Sequence, residues 1–324
     1  MKVLVTGGAG YIGSHFVKLL IENGHQVIVL DNLSRGHREA VPQNVTFEDI
    51  DMLDTHALFD AIQTHLPAAV VHFAAYAYVG ESVKNPGLYY QNNVVGSFNL
   101  IRLCAENGVK NFIFSSTCSI YGNPNKIPIS EEQPSNPINP YANTKLMIEM
   151  MLKDFESSHG MKHVALRYFN AAGADPFGEI GESHHPEPHL IPIILEAALG
   201  KRKKVSVFGN DYNTADGTCI RDYIHVNDLA DAHLKAIEYL RSGNRSDIFN
   251  LGTGKGNSVL EIIEKSKVIT KKEIPFEIVE RRAGDPAILV ADSKKAGEVL
   301  KWSPLNSIEE IIETAWRWHQ NPKY

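Results

Sequence analysis

Cysteine is scarce: Cys104, Cys118 and Cys219 are the three such residues in a chain of 324. An odd number so widely spread excludes a disulfide framework and points to a reducing compartment. No spacing of cysteine with histidine matches a zinc site. No apolar run approaches the ~20 residues needed to span a bilayer. The chain starts Met1-Lys2-Val3-Leu4-Val5 and runs straight into a strand pattern, so no signal peptide is expected. Neither sign of charge dominates. Thirty-two Lys and Arg against 38 Asp and Glu give a net charge of -6, which argues against nucleic acid as a partner. The basic run 201–204 follows Gly200 at a helix end, where cations are favourable without any ligand. These absences predict a cytoplasmic protein without membrane or nucleic-acid partners.

What remains is 43% hydrophobic and 22% charged, the balance of an ordinary globular protein with one large or two medium domains. Apolar, β-branched runs at 2–5, 27–30, 69–73, 112–115 and 164–169 alternate with helical patterns at 11–22, 55–65, 86–106 and 141–158. Alternation of this kind predicts an α/β protein with a doubly wound parallel sheet covered on both faces. After Phe169 the pattern becomes irregular, and Gly, Pro and His are dense through 171–188. A first domain of residues 1–169 is therefore expected, followed by a smaller, mixed α/β second domain of residues 170–324. The stretch 221–241 reads as a return to the first domain.

The most informative local pattern is Thr6-Gly7-Gly8-Ala9-Gly10-Tyr11-Ile12-Gly13 after the first strand. Gly7, Gly10 and Gly13 stand where a strand turns into a helix. Such a turn lets bare backbone N–H groups approach a pyrophosphate at the helix's positive end. Asp31, at the end of the next apolar run, is placed to accept hydrogen bonds from the adenine ribose of NAD and to repel the extra phosphate of NADP. Arg35 and Arg38 follow shortly and offer a rival phosphate grip. The pattern predicts a Rossmann-type NAD site.

Tyr141 and Lys145 lie four apart in a helical segment and so share a face. A free tyrosine has a pKa of about 10 and is a poor base at neutral pH. A nearby ammonium and a positively charged nicotinamide favour the phenolate, which then removes a hydroxyl proton while hydride leaves the same carbon. Ser115-Ser116-Thr117 ends a strand with three hydroxyls, and Thr117 is the candidate to bridge substrate and Tyr141.

Together with Arg167-Tyr168-Phe169-Asn170 and Arg221-Asp222-Tyr223-Ile224-His225, these motifs resemble the extended short-chain dehydrogenase/reductases. Phe208-Gly209-Asn210-Asp211-Tyr212, Asp216-Gly217-Thr218 and Arg281-Arg282-Ala283-Gly284-Asp285 narrow the resemblance to the UDP-glucose 4-epimerase family over essentially the whole chain. The resemblance implies reversible 4-epimerisation of UDP-galactose and UDP-glucose through a 4-keto sugar, with NAD as a retained cofactor. It implies catalytic roles for Tyr141, Lys145 and Thr117. Cofactor contacts carry over to Tyr11, Ile12, Asp31, Asn32, Asp51, Met52, Phe73, Ala74, Asn92, Ser115, Tyr141, Lys145 and Tyr168, beside the glycines. Substrate contacts carry over to Thr117, Tyr141, Asn170, His189, Leu190, Ser206, Phe208, Arg221, Arg282 and Asp285. Arg221 and Arg282 match arginines that clamp the diphosphate, a role suited to a planar fork of donors. The family commonly forms homodimers through helices of the first domain, which suggests 86–106 and 141–158.

Four departures from the family pattern carry information. Thr117 stands for serine, and both present one hydroxyl. Ala77 stands where many members have a cofactor-contacting lysine. His189 replaces an asparagine. Leu289 stands at the gatekeeper position facing the sugar's 2-substituent, intermediate between a tyrosine that excludes an N-acetyl group and a small residue that admits it. No metal is expected: Glu182, His184, His185, Glu187 and His189 are close in sequence, but Pro186 and Pro188 make an irregular loop without zinc-type spacing. A 4,6-dehydratase needs an Asp-Glu pair after the catalytic threonine, and here Cys118-Ser119 follows. A non-catalytic NAD-binding regulator is expected to lose Tyr141 or Lys145, and both are present.

Overall fold

In the computed structural model, residues 1–282 and 285–324 are described. Ala283 and Gly284, part of the Arg281–Asp285 motif, lie outside the described residues. Six strands come from the first 168 residues: β1 (Lys2–Thr6), β2 (Gln26–Asp31), β3 (Thr46–Asp49), β4 (Ala69–His72), β5 (Asn111–Ser115) and β6 (Lys162–Tyr168). A seventh strand, Asp247–Leu251, returns from the second half and pairs with β6. The resulting sheet runs β3-β2-β1-β4-β5-β6-(247–251) and is parallel at every pairing.

Successive strand residues point to opposite faces, and here both faces are apolar. Val3, Val5, Val27, Val29, Val71, Ile113, Val164 and Leu166 pack into one buried cluster. Leu4, Ile28, Leu30, Val70, Phe112, Phe114 and Ala165 pack into the other. Double-sided burial explains why the strands read as continuous β-branched runs rather than as alternating ones. Helix α1 (Tyr11–Glu22) covers the first face beside the helix Val226–Arg241. A third cluster gathers the helices Leu190–Ala198, Val259–Thr270 and Ile308–Gln320 with the strand Val205–Phe208.

The helix boundaries follow local chemistry. Asp54 caps the helix Thr55–His65 by accepting from the N–H groups of His56 and Ala57. Asn139 caps Pro140–His159 by accepting from Ala142 N at 2.9 Å, with proline at the first helical position, and Gly160 in the left-handed conformation ends it.

Two elements differ from the sequence expectation. The expected helix 86–106 is interrupted by a wider π-type turn at Tyr90–Val95. That turn brings Asn93 inward, where it holds both the N–H (2.9 Å) and the carbonyl (3.0 Å) of Tyr76. The returning chain also extends beyond 221–241, because the strand Asp247–Leu251 completes the sheet. Its polar start and its short length hid it in the sequence.

Candidate active site

Sheet order reverses between β2 and β4, on either side of β1, and the crevice beyond the carboxyl ends there is the expected ligand position. Gly7, Gly10, Asp31, Asn32, Asp51, Met52, Phe73, Ala74 and Asn92 all line this cleft. The glycines are required by close approach. A Cβ on Gly7, at φ +72, would meet Ala74 N at 2.5 Å, and one on Gly13 would lie 2.1 Å from the Gly7 carbonyl oxygen. Gly13 therefore seals the turn from behind, as does Ile12, which packs against the core. The helix starts at Gly10 without a side-chain cap, leaving its first N–H groups free for an anion.

Asp31 is buried, and its carboxylate accepts from Ala9 N (3.0 Å) and Leu33 N (2.9 Å). Burial pushes the carboxyl up and the two donors draw it back. Asp51 accepts from the Asn32 amide at 2.9 Å. The Tyr11 hydroxyl donates to the Gly173 carbonyl at 2.6 Å. The two rival arginines are engaged. Arg35 pairs with Glu81 at 2.8 Å and lies over the rings of Tyr76 and Tyr78. Arg38 donates to the Val41 carbonyl at 2.8 Å. Arg35 lines the cleft, as do Ser34, Gly36, Ala75 and Tyr76, four residues that escaped the sequence reading. They belong to loops whose approach depends on the fold.

The catalytic candidates meet at the end of β5. Tyr141 and Lys145 project from one face of the helix Pro140–His159, and both are buried. Lys145 Nζ donates to the Ser115 carbonyl at 2.8 Å and stands 6.0 Å from the centre of the Tyr141 ring. The hydroxyls of Ser115 and Tyr168 are hydrogen-bonded. The Thr117 side chain lies close enough to the Tyr141 phenol to favour its deprotonated form, while its hydroxyl oxygen accepts from Ser119 N at 3.1 Å. The electrostatics differ from expectation. Burial raises the Tyr141 phenol well above its ordinary value, and the nearby Thr117 side chain only partly offsets this. Burial also pushes Lys145 down to about 7, against the pull of Glu149. In the protein alone the pair favours its neutral forms, since desolvation penalises both charges. Lysine proximity by itself does not make the phenolate.

Behind these residues runs a buried chain that sequence reading missed. Ser116 Oγ donates to Glu149 at 2.5 Å, Arg167 grips Glu149 with two nitrogens, and Arg167 donates to Tyr121 at 3.0 Å. Glu149 follows Lys145 by one helical turn on the same face, which was the available signal.

The substrate candidates lie on the second-half elements. Arg221 reaches Asp285 at 3.5 Å; it sits opposite Leu289 in a parallel pairing. Leu289 packs against the cluster of Cys118, Ile120 and Phe169, directly after Thr117. Asn170 starts a strand paired with Tyr223–His225. Arg282 lies over the Phe208 ring at 3.8 Å; Ser206 shares the Phe208 strand. Leu190 opens its helix. His189 is committed to Glu182, Nδ1 to Oε1 at 2.5 Å, rather than free. Ala77 is exposed. Glu182, His184, Glu187 and His189 place their donor atoms within 4.8 Å of one another, a convergence that chain spacing did not disclose because the proline-bent loop folds back on itself.

Residues 3–252 match the family model described as the NAD dependent epimerase/dehydratase family. The chain is 54% identical over 321 residues to the UDP-glucose 4-epimerase of Halalkalibacterium halodurans, covering 99% of this chain and 96% of that protein. It is 51% identical over 324 residues to that of Streptococcus mutans, covering 99% and 97%. The structure of UDP-glucose 4-epimerase from Brucella ovis in complex with NAD superposes with a TM-score of 0.95 at 49% identity, covering 97% of each chain. On the family match over residues 3–252 and these relatives, the chain belongs to the NAD dependent epimerase/dehydratase family, in its UDP-glucose 4-epimerase branch.

Proposed function

We propose that this chain interconverts UDP-galactose and UDP-glucose at carbon 4 of the hexose. The observation that carries the reading is the buried meeting of Tyr141, Thr117 and Lys145 at the end of β5, beside the dinucleotide cleft. The cleft fits NAD: its glycine turn admits no Cβ, its helix start has free N–H groups, and Asp31 is fixed to receive ribose hydroxyls. Gly7 and Gly10 would hold the pyrophosphate, Asp31 the ribose, and Lys145 with Tyr168 and Ser115 the catalytic end. Arg35 lines the cleft but is paired with Glu81, and Arg38 donates to the Val41 carbonyl, which disfavours a 2′-phosphate beside Asp31. When bound, NAD supplies a hydride acceptor and a positively charged ring.

The chain's own residues handle the proton. Tyr141 accepts it from the 4-hydroxyl and returns it to the same oxygen after the sugar has turned over. Thr117 bridges that oxygen and the phenol. Lys145, with a proton affinity near neutrality, stabilises the phenolate whenever it is charged. Arg221 and Arg282 take the diphosphate, Asp285 the uridine ribose, and the strand at Ser206 and Phe208 the uracil, with Asn170 and Leu190 along the sugar. Elimination is disfavoured because Cys118, buried with a thiol pushed up to about 12, and Ser119 follow Thr117 and offer no acid–base pair.

The same reading takes residues 1–169 with the returning 221–251 as the NAD-binding part and the remainder as the substrate part. It also takes the working form as a homodimer. Val95, Phe98, Met147 and Met150 are exposed on the helices 96–106 and 140–159 and the turn before them, and apolar surface of this kind marks an interface. The three cysteines are buried free thiols, in keeping with a cytoplasmic setting.

The test incubates purified protein, without added NAD, with UDP-galactose and separately with UDP-N-acetylgalactosamine. Formation of UDP-glucose supports the reading; no epimer in either tube overturns it. The ratio between tubes reports the room that Leu289 leaves beside the sugar.

A further inference from the structure

One cluster beside the cleft has no role in the proton chemistry. Glu182 and Glu187 are both carboxylates with side chains only 4% and 5% exposed. Two buried carboxylates this close are costly unless positive charge neutralises them. His184 and His189 face them. His184 Nδ1 lies 3.2 Å from Glu182 Oε1 and 3.5 Å from Glu187 Oε2. His189 Nδ1 lies 2.5 Å from Glu182 Oε1 and 3.4 Å from Glu187 Oε1. In a tetrahedral zinc site with bonds of about 2.0–2.1 Å, neighbouring donors stand about 3.3–3.4 Å apart. With Glu182 Oε1 and Glu187 Oε1 as the carboxylate donors, the His184–Glu182 and His189–Glu187 contacts have about that spacing; the His189–Glu182 contact needs to open by less than an ångström, and Glu187 needs to turn so that Oε1 rather than Oε2 faces His184. His184 Nδ1 is buried and, among the described residues, makes no hydrogen bond.

We propose that Glu182, His184, Glu187 and His189 form a closed four-donor site for a divalent transition-metal cation of the zinc class. Two nitrogens and two carboxylate oxygens suit zinc; calcium and magnesium take six or more oxygens. Two carboxylates, two neutral imidazoles and a dication sum to zero charge, which makes the burial tolerable. The surroundings are firm. Trp318 Nε1 donates to the Glu182 carbonyl at 2.8 Å, and the edges of Tyr11 and Tyr78 meet the His184 ring at 6.5 Å and 5.6 Å. His189, 44% exposed at its side chain, gives the entry path. The cation ties the loop 182–189 to the helix that begins at Leu190, next to the turn carrying Tyr11. The competing arrangement balances the same charge with two protonated imidazoles: His184 is held up at about 9 and His189 at about 10, burial opposing and the two carboxylates raising both.

The deciding experiment uses the full chain without an affinity tag, stripped with a chelator and then dialysed against Zn2+ or Co2+. Metal per chain is measured after gel filtration, with the visible spectrum of the cobalt form. The expected result is about one Zn2+ per chain, an intense tetrahedral cobalt band and a higher thermal midpoint on loading. Loss of that metal is expected in the pair H184N/E187Q. Should that pair fail to fold, H184N alone is measured, with the same expectation. No retained metal, a weak octahedral cobalt spectrum, or unchanged stoichiometry in the folded variant overturns the site in favour of the two imidazolium–carboxylate pairs. Catalytic turnover is not the readout, so the outcome is independent of the epimerase reading.

Discussion

Lys145→Met is expected to stabilise the folded chain while removing its turnover. The lysine is buried, and its pKa falls from 10.5 to about 7 chiefly through desolvation. At about 1.4 kcal/mol per pKa unit, holding this amine in the protein costs about 5 kcal/mol at neutral pH. Methionine keeps an apolar stem over the Phe114 ring, where the ammonium now sits at 4.9 Å, and carries no charge to desolvate. It forfeits the hydrogen bond to the Ser115 carbonyl, a loss of about 1.5–3 kcal/mol for a charged donor. A net gain of about 2–3 kcal/mol follows, or several degrees in thermal midpoint for a chain of this size. The sign with pH is fixed. The folded lysine releases its proton near 7 and the unfolded one near 10.5, so the unfolded state binds more protons between them and wild-type stability rises with pH there. The variant's advantage is therefore full at or below neutrality and shrinks toward pH 10. Thermal unfolding of cofactor-free protein at about pH 6.5 and about pH 9.5 measures it, free of ligand linkage. A variant less stable than wild type at the lower pH, or an advantage that does not shrink, refutes the reasoning.

Gly13→Ala sets a Cβ 2.1 Å from the Gly7 carbonyl and 2.9 Å from Gly8 Cα, both backbone. Loss of co-purifying dinucleotide, read from the absorbance ratio at 260 and 280 nm, is the expected outcome. Arg167→Met leaves Glu149 buried without its partner and should cost about 3–5 kcal/mol. Adding Glu149→Gln should restore part of the denaturation midpoint. Asp31→Ala should weaken NAD retention without creating NADP binding, because Arg35 stays with Glu81; equilibrium titration with both dinucleotides checks it.

The sheet and the glycine turn were legible because they rest on local rules. Two-sided apolar strands, a turn that excludes Cβ atoms and an acid at the next strand end are all written in neighbouring residues. The face shared by Tyr141 and Lys145 was legible for the same reason, since helical spacing alone places them together. Strand Asp247–Leu251 was not, because a five-residue run starting with Asp becomes a strand only by pairing with β6. The π-type turn at 90–95 answers to Asn93 meeting Tyr76 and Thr144, a tertiary demand. The phenol's raised pKa depends on desolvation, which no spacing reveals. The convergence of Glu182, His184, Glu187 and His189 was hidden because it comes from a loop folding back on itself, not from helical periodicity.

The central claim is that the Tyr141 phenol carries the proton during epimerisation. Tyr141→Phe removes one oxygen from a buried ring and leaves Thr117, Lys145 and the cleft in place. Turnover of UDP-galactose, measured beside circular dichroism and bound-dinucleotide content, is predicted to fall by about 10²–10⁴-fold, the range for loss of a general base, with fold and dinucleotide retained. Turnover within a few-fold of wild type would contradict the account.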